Sequence, residues 1–375
     1  MKIVAFDIYT PDENAHVLVK LTAEDGSVGW GACYSEKHQI VAALRWLQRF
    51  VLGQDVREIE KITETLHEVS FWLGRGGAIN HAISGINLAL WDCAGRALRT
   101  PVATLLGGAL RPAVKAYGSI LFHPAETLEE RIEAMLERNF KAIKLGWEPF
   151  GRAGIDADRK LVARARAAAG DDVEIMIDAG GSGPYYAATF KSALEQAKML
   201  ADYGVRWFEE ALRPDDIEGF RRLTEASPVT ISGGEVFSGR RAFRQTIAEH
   251  LLDIIQPDVA KVGGLSEMRR IAWAAWDAGV ELVPHGWNTG IGVASDVHFM
   301  STAPRPGYVE FNVGNPMVED ILTTQFVLGS DGTIALPPGN GLGVEVDLDR
   351  VKHMERSGYR SDTWTWETAG TYGNR

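Results

Sequence analysis

Three short apolar segments within residues 173–235 each end in a carboxylate: VEIMID at Asp178, VRWFE at Glu209 and VTISGGE at Glu235. Helical runs separate them. The acids are spaced by 31 and then 26 residues, the length of one strand, one helix and two turns. Repeated units of that length make a parallel sheet or a (β/α) barrel. In a barrel the C-terminal ends of all strands open on one face, so the three acids would converge there. Converging carboxylates repel one another, and a divalent metal is the usual resolution. Ligation entirely by oxygen favours a hard ion, Mg2+ first and Mn2+ second. Any single acid after a strand could instead be a helix N-cap or a solvated loop residue. Three in succession, one per unit, weigh against that reading.

The rest of the chain sorts around this stretch. Residues 2–9, 16–22 and 28–33 read as an antiparallel meander. Helices follow. Ile40, Leu44, Leu47 and Val51 recur at helical spacing, as do Val56, Ile59, Ile62, Leu66 and Val69, and then Ile83, Ile86, Leu90 and Ala94. Strands followed by helices make an α+β domain, and Arg111-Pro112 reads as its linker. Strand and helix then alternate. The expected strands are 114–119, 142–146, 173–178, 205–209, 229–233, 253–256, 281–285 and 308–311, and eight strands close a barrel. After Asn312 the pattern stops: 336–343 is a Pro/Gly loop, 344–346 a short strand, and Trp364 and Trp366 in the tail pack on a surface. The Gly-rich FWLGRGG at 71–77 is either a helix–helix loop or a flap over a site.

Composition narrows the function classes. The net charge of −11 argues against a nucleic-acid partner, which needs a basic face. No apolar run has the roughly 20 residues of a membrane span. The start, MKIVAFDIYT, alternates like a strand and lacks the apolar core of a signal peptide. With only Cys33 and Cys93 there is no disulfide framework, and a cytoplasmic location is expected. Both cysteines read as small buried apolar residues rather than nucleophiles.

Polar residues continue the register of strand ends. Lys144 lies 34 residues before Asp178; Asp258 lies 23 after Glu235, His285 27 after that, and Glu310 a further 25 on. Seven side chains can therefore face one pocket. Asp258 and His285, on adjacent expected strands, suit a dyad: an aspartate on one imidazole nitrogen fixes the tautomer and raises the basicity of the other. Trp147, Trp287 and Asn288 follow strand ends and either line the pocket or pack on the barrel rim. Other chemistries find little support. No His-x-x-x-His zinc pattern sits on a helix, GGSGP at 180–184 lacks the last glycine of a nucleophile elbow, and His298 reads as a packed or solvated histidine.

On these motifs the chain resembles the enolase superfamily, in its mandelate racemase-like subgroup. The likeness spans nearly the whole chain. It rests on ALWDCAGRALRTPVATLLGG, FKAIKLG, IDAGG, WFEEAL, SGGE, IIQPDVAKVGG, VPHGWNTGIG, YVEFN and PGNGLGVEVD. The resemblance implies a modified TIM barrel of (β/α)7β type, 113–325, with an N-terminal α+β capping domain, 1–112, completed by the returning C-terminal segment, 326–375. It implies that Asp178, Glu209 and Glu235 hold Mg2+, and that His285, oriented by Asp258, is a base or acid. Lys144 would match the first lysine of the family's Lys-x-Lys motif and neutralise the substrate carboxylate, with Glu310 bonding it from the other side. A homo-oligomer is expected on the same ground.

Departures from the family pattern shape the expected reaction. The second lysine, usually the base on the opposite face, is here Gly146. Gly180 replaces a polar residue, Ala211 replaces a proline, and the first hairpin loop, 11–14, is too short for the usual specificity lid. Either 71–77 or the tryptophan tail would close the pocket instead. With one base, the expected reaction is α-proton abstraction from a sugar acid, an enediolate, and β-elimination of water to a 2-keto-3-deoxy acid, with the protonated histidine as acid for the leaving hydroxyl. A cycloisomerase or lactone isomerase, expelling a ring oxygen, is the alternative. A racemase or epimerase needs a second base, for which only Lys261 or Lys144 is available. A metal-binding barrel without activity comes last.

Overall fold

The computed structural model describes residues 1–183 and 186–360. The chain opens on an antiparallel sheet of β1 (Ile3–Tyr9), β2 (His16–Ala23) and β3 (Val28–Tyr34). Helices α1 (Lys37–Leu47), α2 (Ile59–Val69), α3 (Ala78–Ala97) and α4 (Val102–Leu105) follow. Helix α3 is buried almost throughout because two elements cover it. Its small residues Gly85, Ala89 and Cys93 let β3 lie directly on it. A Cβ at Gly31 would stand 1.9 Å from the Gly85 carbonyl oxygen, so this approach requires glycine. Its other row, Asn80, Ser84, Asn87 and Trp91, is polar yet buried, and its partners lie in the barrel.

Strand and helix then alternate: β4 (Ala113–Leu121), α5 (Leu128–Glu137), β5 (Ala142–Gly146), α6 (Ile155–Ala169), β6 (Glu174–Asp178), α7 (Phe190–Ala201), β7 (Val205–Glu209), α8 (Ile217–Ala226), β8 (Thr230–Gly233), α9 (Gly239–Ala248), β9 (Ile254–Ile255), α10 (Gly264–Asp277), β10 (Glu281–Leu282), α11 (Gly290–Ser301) and β11 (Tyr308–Asn312). The eight strands are parallel and pair in the order β11-β4-β5-β6-β7-β8-β9-β10. The sheet curls so that one layer of side chains fills its interior: Tyr117, Ala142, Met176, Trp207, Ile254, Val283 and Tyr308. Tyr117, Trp207 and Tyr308 meet edge to face at 5.4–6.2 Å. Period-two alternation then dictates what lies above this layer. Lys144, Asp178, Glu209 and Glu310 each follow an interior residue by two positions, so each points into the mouth of the barrel at the C-terminal ends of the strands. No helix among the described residues is long and apolar enough to cross a membrane.

Beyond β11 the chain differs from the pattern read in the sequence. Residues 344–346 form no strand; only Val346 bridges to Leu322. Their surroundings explain this, because cap side chains take the backbone groups. The Leu342 N–H donates to Asp92 at 2.8 Å, and Arg96 donates to the Val344 carbonyl at 2.5 Å. Past the four-residue α12 (Pro316–Glu319), β12 (Thr333–Ala335) pairs antiparallel with β4. Helix α13 (Leu348–Ser357) forms where the sequence reading assigns no element. Asp347 caps it by accepting from the Arg350 N–H at 2.9 Å, and Val351 and Met354 bury its inner face. Its end reaches the first hairpin, where the Glu13 N–H donates to the Tyr359 carbonyl at 2.8 Å. The tail tryptophans, Trp364 and Trp366, lie outside the described residues.

His298 is packed, fully buried on α11, and its Nδ1 accepts the Ala103 N–H of α4 at 3.0 Å. Burial pushes its pKa down to about 4. The unfolded chain therefore binds a proton near pH 6.5 that the folded chain refuses until about pH 4. Its contribution is intact above pH 6.5 and is lost as pH falls, costing about 2 kcal/mol at pH 5. Urea melts at pH 7 and pH 5 are expected to show a smaller pH-dependent loss in His298→Asn than in wild type. An identical loss in both would refute the assignment.

Candidate active site

The barrel mouth collects all seven strand-end residues. Asp178, Glu209 and Glu235 are buried and each offers an oxygen, all lying within 4.8 Å of one another. Lys144 Nζ stands 2.8 Å from Glu209 Oε1 and 2.9 Å from Glu310 Oε1, bridging the two acids. Glu310 is anchored on its other oxygen by the Gly286 N–H at 2.7 Å. His285 Nδ1 lies 2.7 Å from Asp258 Oδ2, and its Nε2 faces Glu235 Oε2 at 3.1 Å. The two members of this dyad also form a parallel β-bridge, which extends the β9–β10 pairing beyond its two regular rungs. Asp258 is held from behind, by the Ala260 N–H at 2.7 Å.

The charges of the site depend on one another. Burial and then Glu209 push Asp178 well above the usual carboxylate range. A hard divalent ion fits the all-carboxylate donor set of this triad. Burial opposes the charge of Lys144, but Glu209 and Glu310 outweigh it and hold the ammonium protonated. Burial likewise opposes ionised Glu310, yet Lys144 and His285 bring it down to about 2. For His285, burial is overcome by Glu235, Glu310 and Asp258, which raise it to about 9.

The remaining expected residues are distributed differently. Trp147 bends over the triad at φ +65° and donates from Nε1 to Asp178 Oδ2 at 3.1 Å. Trp287 is half-buried two residues past His285. Asn288 is turned inward and fully buried. Its Oδ1 accepts the Thr289 N–H at 2.6 Å, and its Nδ2 lies 3.5 Å from Asp258. Residues 71–77 stand beside the loop after Glu235, where Gly76 meets Ser238, but Phe71, Trp72 and Leu73 face solvent. Gly146 is packed against the triad: a Cβ there would lie 3.0 Å from Asp178 Cβ.

Residues 127–351 match the family described as enolase C-terminal domain-like, and residues 3–107 match the mandelate racemase / muconate lactonizing enzyme N-terminal domain. The chain belongs to the enolase superfamily. Within it, the chain is 33% identical over 356 residues to D-galactarolactone cycloisomerase of Agrobacterium fabrum, covering 91% of each. It is 29% identical to D-galactonate dehydratase of Pectobacterium atrosepticum, covering 93% of this chain and 94% of the relative. Among solved structures, the 3,6-anhydro-D-galactonate cycloisomerase of Zobellia galactanivorans superposes with a TM-score of 0.87 at 31% identity, over 94% of this chain and 99% of that one. The superfamily relatives thus include both acid-sugar dehydratases and cycloisomerases.

Four further residues belong to the site. Trp207 Nε1 at 3.1 Å and Gln256 Nε2 at 2.7 Å both donate to Glu209 Oε2. Period two would have found them, since Trp207 precedes Glu209 by two and Gln256 precedes Asp258 by two. Tyr34 and His81 come from the cap, and no local pattern in the sequence marks them. Tyr34 lies against Lys261, and His81 is buried near Lys261 and Asp258, which act on its charge.

Proposed function

We propose that this protein is a divalent-metal-dependent acid-sugar dehydratase. It takes the α-proton of a small carboxylate substrate, forms the enediolate and expels the β-hydroxyl as water, giving a 2-keto-3-deoxy acid. The observation that carries this reading is the asymmetry of the base set. The dyad imidazole stands on one side of the triad, while the facing position on β5 is Gly146, which cannot move a proton. Inversion of a stereocentre needs a base on each face; elimination needs one.

Asp178, Glu209 and Glu235 would hold the cation, Mg2+ or Mn2+, whose charge would stabilise the enediolate. Asp258 fixes the tautomer of His285 and supports the positive charge that forms when Nε2 accepts the α-proton. Lys144 neutralises the substrate carboxylate, and Glu310 holds Lys144 from the opposite side. Trp147, bonded to Asp178, screens the triad from water. Protonated His285 is one group able to supply the leaving hydroxyl with its proton.

A second reading is favoured by the relatives. D-galactarolactone cycloisomerase, at 33% identity, and the 3,6-anhydro-D-galactonate cycloisomerase structure are both named as cycloisomerases, and on that reading a ring oxygen of this chain's substrate would leave in place of water. A screen of aldonic and aldaric acids, their lactones and anhydro forms, with Mg2+ in D2O and read by proton NMR, separates the two. A keto-deoxy product one water lighter establishes the dehydratase. A ring-opened product of unchanged mass moves the assignment to cycloisomerase, and absence of both C2 exchange and product across the screen sinks both readings.

A further inference from the structure

Lys261 sits in the turn between β9 and α10, three residues after Asp258. It is 6% exposed. Among the described residues, its ammonium has an ion pair with Glu235 Oε1 at 3.9 Å and the face of the Tyr34 ring at 4.8 Å to the centroid. Both exceed hydrogen-bond length. An ammonium held so loosely keeps donor capacity for a further hydrogen-bond acceptor. Its backbone, by contrast, is tightly set. The polar row of α3 serves this turn: Asn80 Nδ2 donates to the Lys261 carbonyl at 2.7 Å, Ser84 Oγ accepts the Gly263 N–H at 2.8 Å, and Asn87 Nδ2 donates to Ser266 Oγ at 2.8 Å. The cap thus places this lysine through its backbone and through Tyr34, and leaves its donors turned to the site.

Glu235 ties Lys261 to the chemistry. Its Oε2 faces His285 Nε2 at 3.1 Å, and its Oε1 faces Lys261 at 3.9 Å. The base and the ammonium therefore flank one carboxylate.

We propose that Lys261 is the proton donor to the oxygen leaving the β-carbon, and that His285 is reserved for the α-proton. This rests on the proposed function. The C2–H bond breaks and its proton passes to His285 Nε2. The electron pair of the enediolate forms the C2–C3 double bond as the C3–O bond breaks. The departing oxygen takes a proton from Lys261 and leaves as water, or as a free hydroxyl if it was a ring oxygen. The enol then ketonises: its hydroxyl proton restores Lys261, and His285 returns its proton to C3. Tyr34 is a positioning residue, whose ring holds the ammonium over the β-carbon.

The test follows both bond changes at once. Wild type, Lys261→Met, Tyr34→Leu and Tyr34→Phe are each incubated in D2O with Mg2+ and an acid sugar that wild type turns over. Proton NMR reads deuterium entering C2 of recovered substrate and, separately, product formation. In Lys261→Met, elimination is expected to fall about 10²–10⁴-fold while C2 exchange stays within about threefold, the loss typical of removing a general acid alone. Retained exchange is itself proof of a folded, metal-loaded site. Tyr34→Leu is expected to lower elimination relative to exchange, and Tyr34→Phe to restore the ratio. Equal loss of exchange and elimination in Lys261→Met, or no loss of either, overturns the inference alone. A wild type that neither exchanges nor eliminates on any acid sugar overturns the proposed function with it.

Discussion

His285→Asn is expected to abolish both C2 deuterium exchange and product formation, with turnover down about 10²–10⁴-fold or beyond detection. The substitution keeps a polar side chain beside Asp258 but removes Nε2, the one nitrogen that the 2.7 Å contact with Asp258 makes basic. With Gly146 at the position on β5 where the family's usual second base stands, that position cannot continue exchange from the other side. This pattern differs from the one expected for Lys261→Met, which keeps exchange. Asp258→Asn should fall between the two, since the imidazole survives but its tautomer is no longer set. Proton NMR in D2O with the same substrate decides the case. Deuterium uptake persisting in His285→Asn with inversion at C2 would reveal a second base and defeat the one-base reading.

Asp178→Asn is expected to remove cation dependence along with activity. Losing the charge that stabilises the enediolate corresponds to several kcal/mol, so turnover should drop about 10³-fold or more. The readout that separates this from simple misfolding is thermal. Without cation the three buried carboxylates repel, and burial with Glu209 already drives Asp178 toward its neutral form. Neutralising it should leave the metal-free melting temperature unchanged or higher. Wild type should gain stability with rising Mg2+ because the ion binds only the folded state, and the variant should gain little. Differential scanning calorimetry in chelator and then in excess Mg2+ measures both. An Asp178→Asn protein with a wild-type Mg2+ shift would rule out the triad as the metal site.

The register of strand-end residues was legible because it is local. Met176 and Asp178, Trp207 and Glu209, Ala142 and Lys144, Tyr308 and Glu310 are each two residues apart on one strand, and strand geometry alone puts each pair on the same side. Spacing of one strand and one helix per unit then stacks those ends on one face. The same logic reached Asp258 and His285, although their strands have only two regular rungs each. Where loops took over, the reading weakened. The segment 344–346 looked like a strand, yet Asp92 and Arg96 of α3 claim its neighbourhood's hydrogen bonds. Helix α13 is short and largely polar, so its few buried residues gave too little periodicity to be seen.

By itself, then, the sequence determined the repeating units, the residues at each strand end and the asymmetry between His285 and Gly146, since all of these follow from periods of two residues and of one strand–helix unit. Only the tertiary structure decided which cap residues reach the site. Tyr34 meets Lys261 across more than two hundred positions of sequence, and the row from Asn80 to Trp91 looks like an ordinary polar helix face until the β9–α10 turn lies on it. Such contacts depend on how two separately patterned units dock, and a docking surface leaves no period in the chain that carries it.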